Sequence, residues 1–165
     1  DEREFNFVRR LDALNSLVYE KMLPIMEWID NKTINYYESN GNIFVHGWVP
    51  ISYDGSGKFG NYRNLSVAPR SQWNDCLWEE ARWLNPFDMY RRGAIIPNKT
   101  IVCGHWHTSW WRSHIKQTMK EFPQKSQDGW EKAFYPVVEN GMCALDSCCA
   151  YSGFLNCVVL EETNE

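Results

Sequence analysis

The hydrophobic positions of this chain follow a helical spacing at first and form short strand-like runs later. From Phe5 to Ile29 the apolar side chains recur every three or four residues, which predicts an amphipathic helix over residues 4–30. Pro24 lies inside that pattern and predicts either a kink or the start of a second helix. A polar connection over residues 31–42 follows, with a short strand expected at Thr33 to Tyr37.

Two later apolar runs each end in a glycine-flanked histidine. The run 42–45 leads into His46-Gly47, and the β-branched run 99–103 leads into Gly104 and then His105-Trp106-His107. Residues two apart in extended backbone project to the same side, so both imidazoles of the His-x-His segment are expected to converge. In open α/β sheets ligands bind at strand ends. One histidine in such a place is more often structural than a ligand, but three favour a metal site.

The remaining segments have weaker patterns. Residues 50–72 are rich in Gly, Ser, Asn and Tyr, which is typical of a functional loop, and residues 71–90 carry an apolar helical stripe. Residues 113–134 are polar and weakly helical, as in a lid or an insertion. Residues 142–146 and 154–161 are predicted strands. The tryptophans near the His-x-His segment either pack in the core or form the wall of a site.

Composition restricts the class of protein. The 165 residues are 44% hydrophobic, which predicts one packed domain over residues 1–165. The net charge of −4 and the lack of a basic stripe argue against nucleic-acid binding, and the apolar runs are too short for a membrane span. The six cysteines include no CxxC pair, so reduced thiols and a cytoplasmic location are expected.

The order of the motifs resembles the carboxy-terminal half of a calcineurin-like metallophosphoesterase. The resemblance covers roughly residues 42–161 and has the character of bacterial relatives of serine/threonine protein phosphatases and diadenosine tetraphosphate hydrolases. It is carried by Phe44-Val45-His46-Gly47-Trp48-Val49-Pro50, Leu77-Trp78 with Arg82, Thr100 to His107, Ala144-Leu145-Asp146-Ser147 and Gly153-Phe154-Leu155. The ordered combination is more specific than any one motif.

The resemblance implies an α/β fold, part of a two-sheet β-sandwich flanked by helices. Two divalent ions (Mn, Fe or Zn) would lie between the sheets, with His46 and His105 on one ion and His107 on its neighbour. Such a pair of ions stabilises the attacking and leaving oxygens of a phosphoester. Arg82 would hold phosphate oxygens through its guanidinium fork; the alternative for Arg82 is an ordinary surface residue on a helix.

The chain also departs from the family pattern. The motifs Asp-x-His, Gly-Asp-x-x-Asp and Gly-Asn-His-Asp/Glu do not occur, and the family's Asp-Thr-Gly is replaced by Asp146-Ser147-Cys148. Arg82 is four residues from Trp78 rather than two. We therefore expect a carboxy-terminal portion, with a helical lead-in at 1–41 and a sheet with the metal motifs at 42–165. The expected partners are a phosphoester and either the missing amino-terminal half or a second copy of the chain.

Three functions remain open at this point. The first is metal-dependent hydrolysis of a phosphoester, in which the isolated chain is weak or inactive. The second is a catalytically inactive metal-binding or interaction module of the same fold. The third is a mononuclear zinc hydrolase that uses His46, His105 and His107. The substrate (a phosphoprotein, a dinucleotide or a small phosphoester) stays open as well.

Overall fold

The structure is a computed structural model that describes residues 16–52, 65–115, 125 and 128–160. The chain separates into two compact units, Asp1–Ile34 and Asn35–Glu165. In the first unit, helix α1 spans Ser16–Lys32 and continues through Pro24 without a break into two helices. The predicted helical residues before Ser16 lie outside the described part of the chain. No helix within the described residues is long and apolar enough to cross a bilayer.

A five-stranded mixed sheet forms the centre of the second unit. Its strands are β1 Tyr36–Ser39, β2 Asn42–Val45, β5 Thr100–Cys103, β6 Val137–Glu139 and β7 Met142–Ala144. In the order β1-β2-β5-β7-β6, the inner strands β2, β5 and β7 run parallel, and the outer strands β1 and β6 pair antiparallel with their neighbours. The predicted mixed α/β class is therefore confirmed.

Two short hairpins align the outer strands with the centre of the sheet. Asn40 and Gly41 have φ values of 46° and 75°, the left-handed backbone that a tight two-residue hairpin requires. The carbonyl of Gly41 accepts from the amide of Thr100, and that of Gly141 accepts from the amide of Ile101, each at 3.0 Å. Both hairpin turns are thus attached to the start of β5, which fixes the register of the inner strands.

A smaller two-stranded sheet and two helices lie between β2 and β5 in the chain. Strands β3 (Ile51–Ser52) and β4 (Ser66–Val67) pair antiparallel, while residues 53–64 of the predicted loop lie outside the description. The single helix predicted over residues 71–90 is wrong. A 3-10 turn at Arg70–Gln72 precedes helix α2 (Asp75–Ala81) and helix α3 (Pro86–Arg91). The Asn85 side chain caps α3 and Pro86 occupies its first turn, an arrangement that starts a new helix.

The chain after β5 is mostly short helical turns. Helix α4 (Thr108–Trp110) widens into a π-helical turn at Trp111–Ile115, and a 3-10 helix spans Trp130–Phe134. Helix α5 covers Cys149–Ser152. The strand predicted at 154–161 is wrong for its described part, because residues 153–160 have no strand partner among the described residues.

The core lies against the inner strands. Ile43, Ile101 and Met142 come from β2, β5 and β7 and are fully buried. Phe87 and Trp48 are also fully buried, and the indole of Trp48 donates to the carbonyl of Ala94 at 2.9 Å. This packing holds the helix pair α2–α3 against the sheet and so sets the position of the residues that follow α2.

Candidate functional site

The carboxyl ends of the three parallel strands meet at one edge of the sheet. His46 follows β2, His105 follows β5 and Asp146 follows β7. The strand ends are held level by two backbone hydrogen bonds of 2.9 Å: the amide of Gly104 donates to the carbonyl of His46, and the amide of Leu145 donates to that of Cys103. The edge predicted for ligand binding is therefore where two of the predicted histidines lie.

His46 and His105 are in direct contact. Nε2 of His46 and Nδ1 of His105 form a hydrogen bond of 3.0 Å, in which the tautomers decide which nitrogen donates, and the ring centroids are 4.7 Å apart. His105 adopts a φ of 64°, the left-handed region that a residue with a side chain rarely occupies. Strain of this kind tends to occur at functional sites, where the surrounding structure imposes it.

Both imidazoles of this pair are biased toward the neutral form. Burial is the main cause of the lowered pKa of His46, and the charge of Arg82 adds to it. Burial likewise lowers the pKa of His105, with further contributions from His46 and His107, while Asp146 acts in the opposite direction on both. A neutral imidazole is the form that binds a metal ion, so the local environment favours ligand chemistry.

His107 lies apart from the contact between His46 and His105. It occupies the N-cap position of α4, and it lines a pocket together with His105. The sequence argument placed both imidazoles of the His-x-His segment on one side of an extended strand. The premise of an extended backbone is wrong, because the strand ends at Cys103 and the backbone of His105 is left-handed, although both histidines still line one pocket.

Arg82 and Trp83 follow α2 beside the histidine pair. The guanidinium carbon of Arg82 lies 5.2 Å from the ring centroid of Trp83, a cation–π contact. Trp83 contacts His46 and His105 edge-on, with ring centroids 6.1 and 5.1 Å away, although it is 45% exposed. Sequence reasoning identified Arg82 but missed Trp83, which follows it directly in the chain.

Asp146 is the second residue that sequence reasoning did not place in the site. Its carboxylate accepts from the amide of Cys148 at 2.7 Å, and its carbonyl accepts from the amide of Thr108 at 2.9 Å. Cys148 has a φ of 52°, so the turn after Asp146 is tight. The signal that pointed to Asp146 was its place in the altered Asp-Ser-Cys motif.

The histidine pair fits a shared metal ion in part. Two nitrogens bound to one tetrahedral zinc ion are about 3.4 Å apart, so the His46 and His105 nitrogens at 3.0 Å would have to lose the proton they share and separate slightly to bind one ion. Across the described residues, however, no three His, Cys, Asp or Glu side chains converge as a metal site requires. The described residues thus bring two imidazoles together but provide no complete set of metal ligands.

No family model matches the chain, and neither does any curated protein or solved structure.

Proposed function

We propose that this chain carries part of the active site of a metal-dependent phosphoesterase, in the two-sheet metallophosphoesterase architecture. His46, His105 and His107 would be the metal ligands, and Arg82 the phosphate contact. The observation that carries the proposal is the 3.0 Å approach of two imidazoles, both with lowered pKa, at the carboxyl edge of parallel strands. A divalent ion at such a site supplies Lewis-acid activation of a phosphoryl oxygen and of a water.

The protein's own residues have distinct tasks in this proposal. His46 and His105 present neutral ring nitrogens, and His107 adds a third imidazole beside the neighbouring pocket. Arg82 lies close enough to lower the pKa of His46, so its charge is placed to attract a phosphate dianion. Trp83 covers one side of the histidine pair and limits its contact with water.

A catalytically inactive metal-binding or interaction module is the second candidate. It is favoured by the observation that only two potential ligands are in contact, and that the described residues provide no bridging carboxylate. In that case the fold and the histidines serve to bind a metal or a partner without turnover.

Metal content and hydrolysis separate these functions. The ions bound per folded chain are measured after dialysis against manganese or zinc, and p-nitrophenol release from p-nitrophenyl phosphate is followed in the same samples. Manganese-dependent release supports the phosphoesterase, and bound metal without turnover supports the module. One zinc with turnover of a carboxylic ester supports the mononuclear hydrolase. A chain that binds no metal contradicts the phosphoesterase, the mononuclear hydrolase and the metal-binding form of the module.

Histidine variants locate the metal. His46→Ala and His105→Ala are each expected to lose at least tenfold in metal affinity, because each removes a ligand. His114→Ala is the matched control for metal content, since His114 is exposed and lies outside the pair. Equal loss of metal in all three variants would mean that the ion is not held by His46 and His105.

A further inference from the structure

A pocket of about 310 Å³ opens beside the histidine pair. Its lining comes from the segment after β5 and includes His105, Trp106, His107, Ser109 and Trp110. None of the described residues that line it is an Asp, Glu, Lys or Arg. An aromatic pocket without charged side chains favours an uncharged, largely apolar group.

Two buried polar atoms of the pocket residues have no hydrogen-bond partner among the described residues. They are the indole Nε1 of Trp106 and the hydroxyl of Ser109, and both are closed to solvent. Buried polar groups are nearly always paired, and each unpaired one costs about 1–3 kcal/mol. An indole N–H can only donate, so the missing partner of Trp106 is an acceptor.

The surrounding rings fix the wall of the pocket. Trp110 is stacked on Phe87 at 6.0 Å and on His114 at 4.7 Å between centroids, and Trp106 meets Trp110 edge-on at 5.6 Å. Because the rings of Phe87 and His114 both stack on the indole of Trp110, that indole has little freedom to move. The hydroxyl of Ser113 donates to the carbonyl of Ser109 at 2.9 Å and holds the same turn.

We propose that this pocket binds an uncharged planar heteroaromatic ring with an acceptor in its plane, as the leaving group of a phosphoester. The role as leaving group rests on the proposed phosphoesterase function. The volume is at the lower end of the range for ligand pockets, about 300–1,000 Å³, which suits one or two fused rings. Because Trp106 Nε1 is closed to solvent, the indole must turn toward the pocket for its N–H to meet the ring acceptor, and the hydrogen bond gained favours that turn.

The test uses two alcohols of the same shape that differ in one ring atom. Quinolin-6-ylmethanol carries an acceptor nitrogen and 2-naphthalenemethanol carries a C–H in that place. Binding is measured without metal by NMR of the ¹⁵N-labelled indole groups. The quinoline is expected to bind about two- to tenfold more tightly, the value of one neutral hydrogen bond, and to shift the Trp106 Nε1–H signal downfield.

Two tryptophan variants assign the effect. Trp106→Phe removes the unpaired N–H and is expected to abolish the preference for quinoline. Trp73→Phe is the matched control, because the indole of Trp73 already donates to the carbonyl of Ala68 at 2.8 Å, and it is expected to keep the preference.

The outcomes of the two proposals are distinguishable. Equal binding of the two alcohols to the unmodified chain, or a preference that survives in Trp106→Phe, would overturn the ring site whatever the hydrolysis assay gives. Ring binding in a chain without metal-dependent hydrolysis would overturn the role as leaving-group site and leave the ring site supported.

Discussion

Gly47 separates the histidine pair from the end of α2, and its replacement by alanine tests how that contact is built. A Cβ at Gly47 would lie 2.4 Å from the carbonyl oxygen of Arg82 and 2.8 Å from its carbonyl carbon. Both atoms belong to the backbone, so a change of side-chain rotamer cannot relieve the clash. The next amide, that of Trp48, donates to the carbonyl of Ala81 at 3.0 Å and holds the two segments together.

The cost of Gly47→Ala follows from this distance. Real Cβ atoms essentially never approach a non-bonded heavy atom within 3.0 Å, so the segment at Gly47 and the end of α2 must separate by several tenths of an ångström. Overpacking of this kind costs about 1–3 kcal/mol, which corresponds to a fall in Tm of roughly 2–12 °C for a domain of this size. The same movement displaces His46, so metal affinity is expected to fall together with stability.

Gly104 provides the matched control, since it precedes His105 as Gly47 follows His46. A Cβ at Gly104 has only the carbonyl oxygen of His46 nearby, at 3.7 Å, an ordinary contact. Its backbone is open to an L-residue, so Gly104→Ala is expected to be neutral or to stabilise by about 0.4–1 kcal/mol. Urea unfolding and metal content are measured for both variants. Equal losses, or a larger loss for Gly104→Ala, would refute the assigned packing.

Three further outcomes are expected. Trp73→Phe should lower the free energy of unfolding in urea by about 1–3 kcal/mol more than Trp106→Phe, because it leaves the carbonyl of Ala68 without its donor, whereas the Trp106 N–H has no acceptor to lose among the described residues. Equal losses of stability would contradict the bonding assigned to Trp106. The Arg70 and Lys99 contacts lower the pKa of Glu38 from 4.5 to about 2, so its stabilisation is present above pH 4.5 and disappears as the pH falls toward 2. The difference between the unmodified chain and Glu38→Gln, about 1 kcal/mol for such exposed pairs, should close over that range in acid-dependent unfolding; a constant difference would argue against the ion pairs. Arg112→Lys should lower Tm, because a lysine cannot reproduce the guanidinium bonds to the carbonyls of residues 133, 135 and 136; an unchanged Tm would show that these bonds are not needed.

The strands that carry the histidines could be predicted because their signals are local. The runs before His46 and Gly104 are apolar and β-branched, and they became β2 and β5. The turn in each outer hairpin was also readable, since Asn-Gly is the strongest short hairpin signal. Asn40-Gly41 and Asn140-Gly141 mark both turns, and this signal places β1 at Tyr36–Ser39 rather than at 33–37 and adds strand β6 at Val137–Glu139.

Trp83 and Asp146 could not be placed from local patterns. Trp83 reaches the histidines only because α2 ends at Ala81 and packs beside Gly47, a contact that depends on the helix break before Pro86. Asp146 reaches the same edge because β7 pairs parallel with β5, with Cys103 opposite Ala144. Strand register and helix docking depend on tertiary contacts, so the hydrophobic periodicity of the sequence does not predict them.

The conformation of His105 explains how one short motif would contribute to both the proposed metal site and the proposed ring site. A period of two applies only while the backbone stays extended, and here it ends at Cys103. The left-handed turn directs the ring of His105 to His46 on the adjacent strand, so the close imidazole pair forms between strands and not along one. Trp106 and His107 precede the first residue of α4, and both line the aromatic pocket. A ring bound in that pocket would therefore contact the segment that positions His105, which is the arrangement expected where a leaving group must lie next to the metal-bound phosphoryl group.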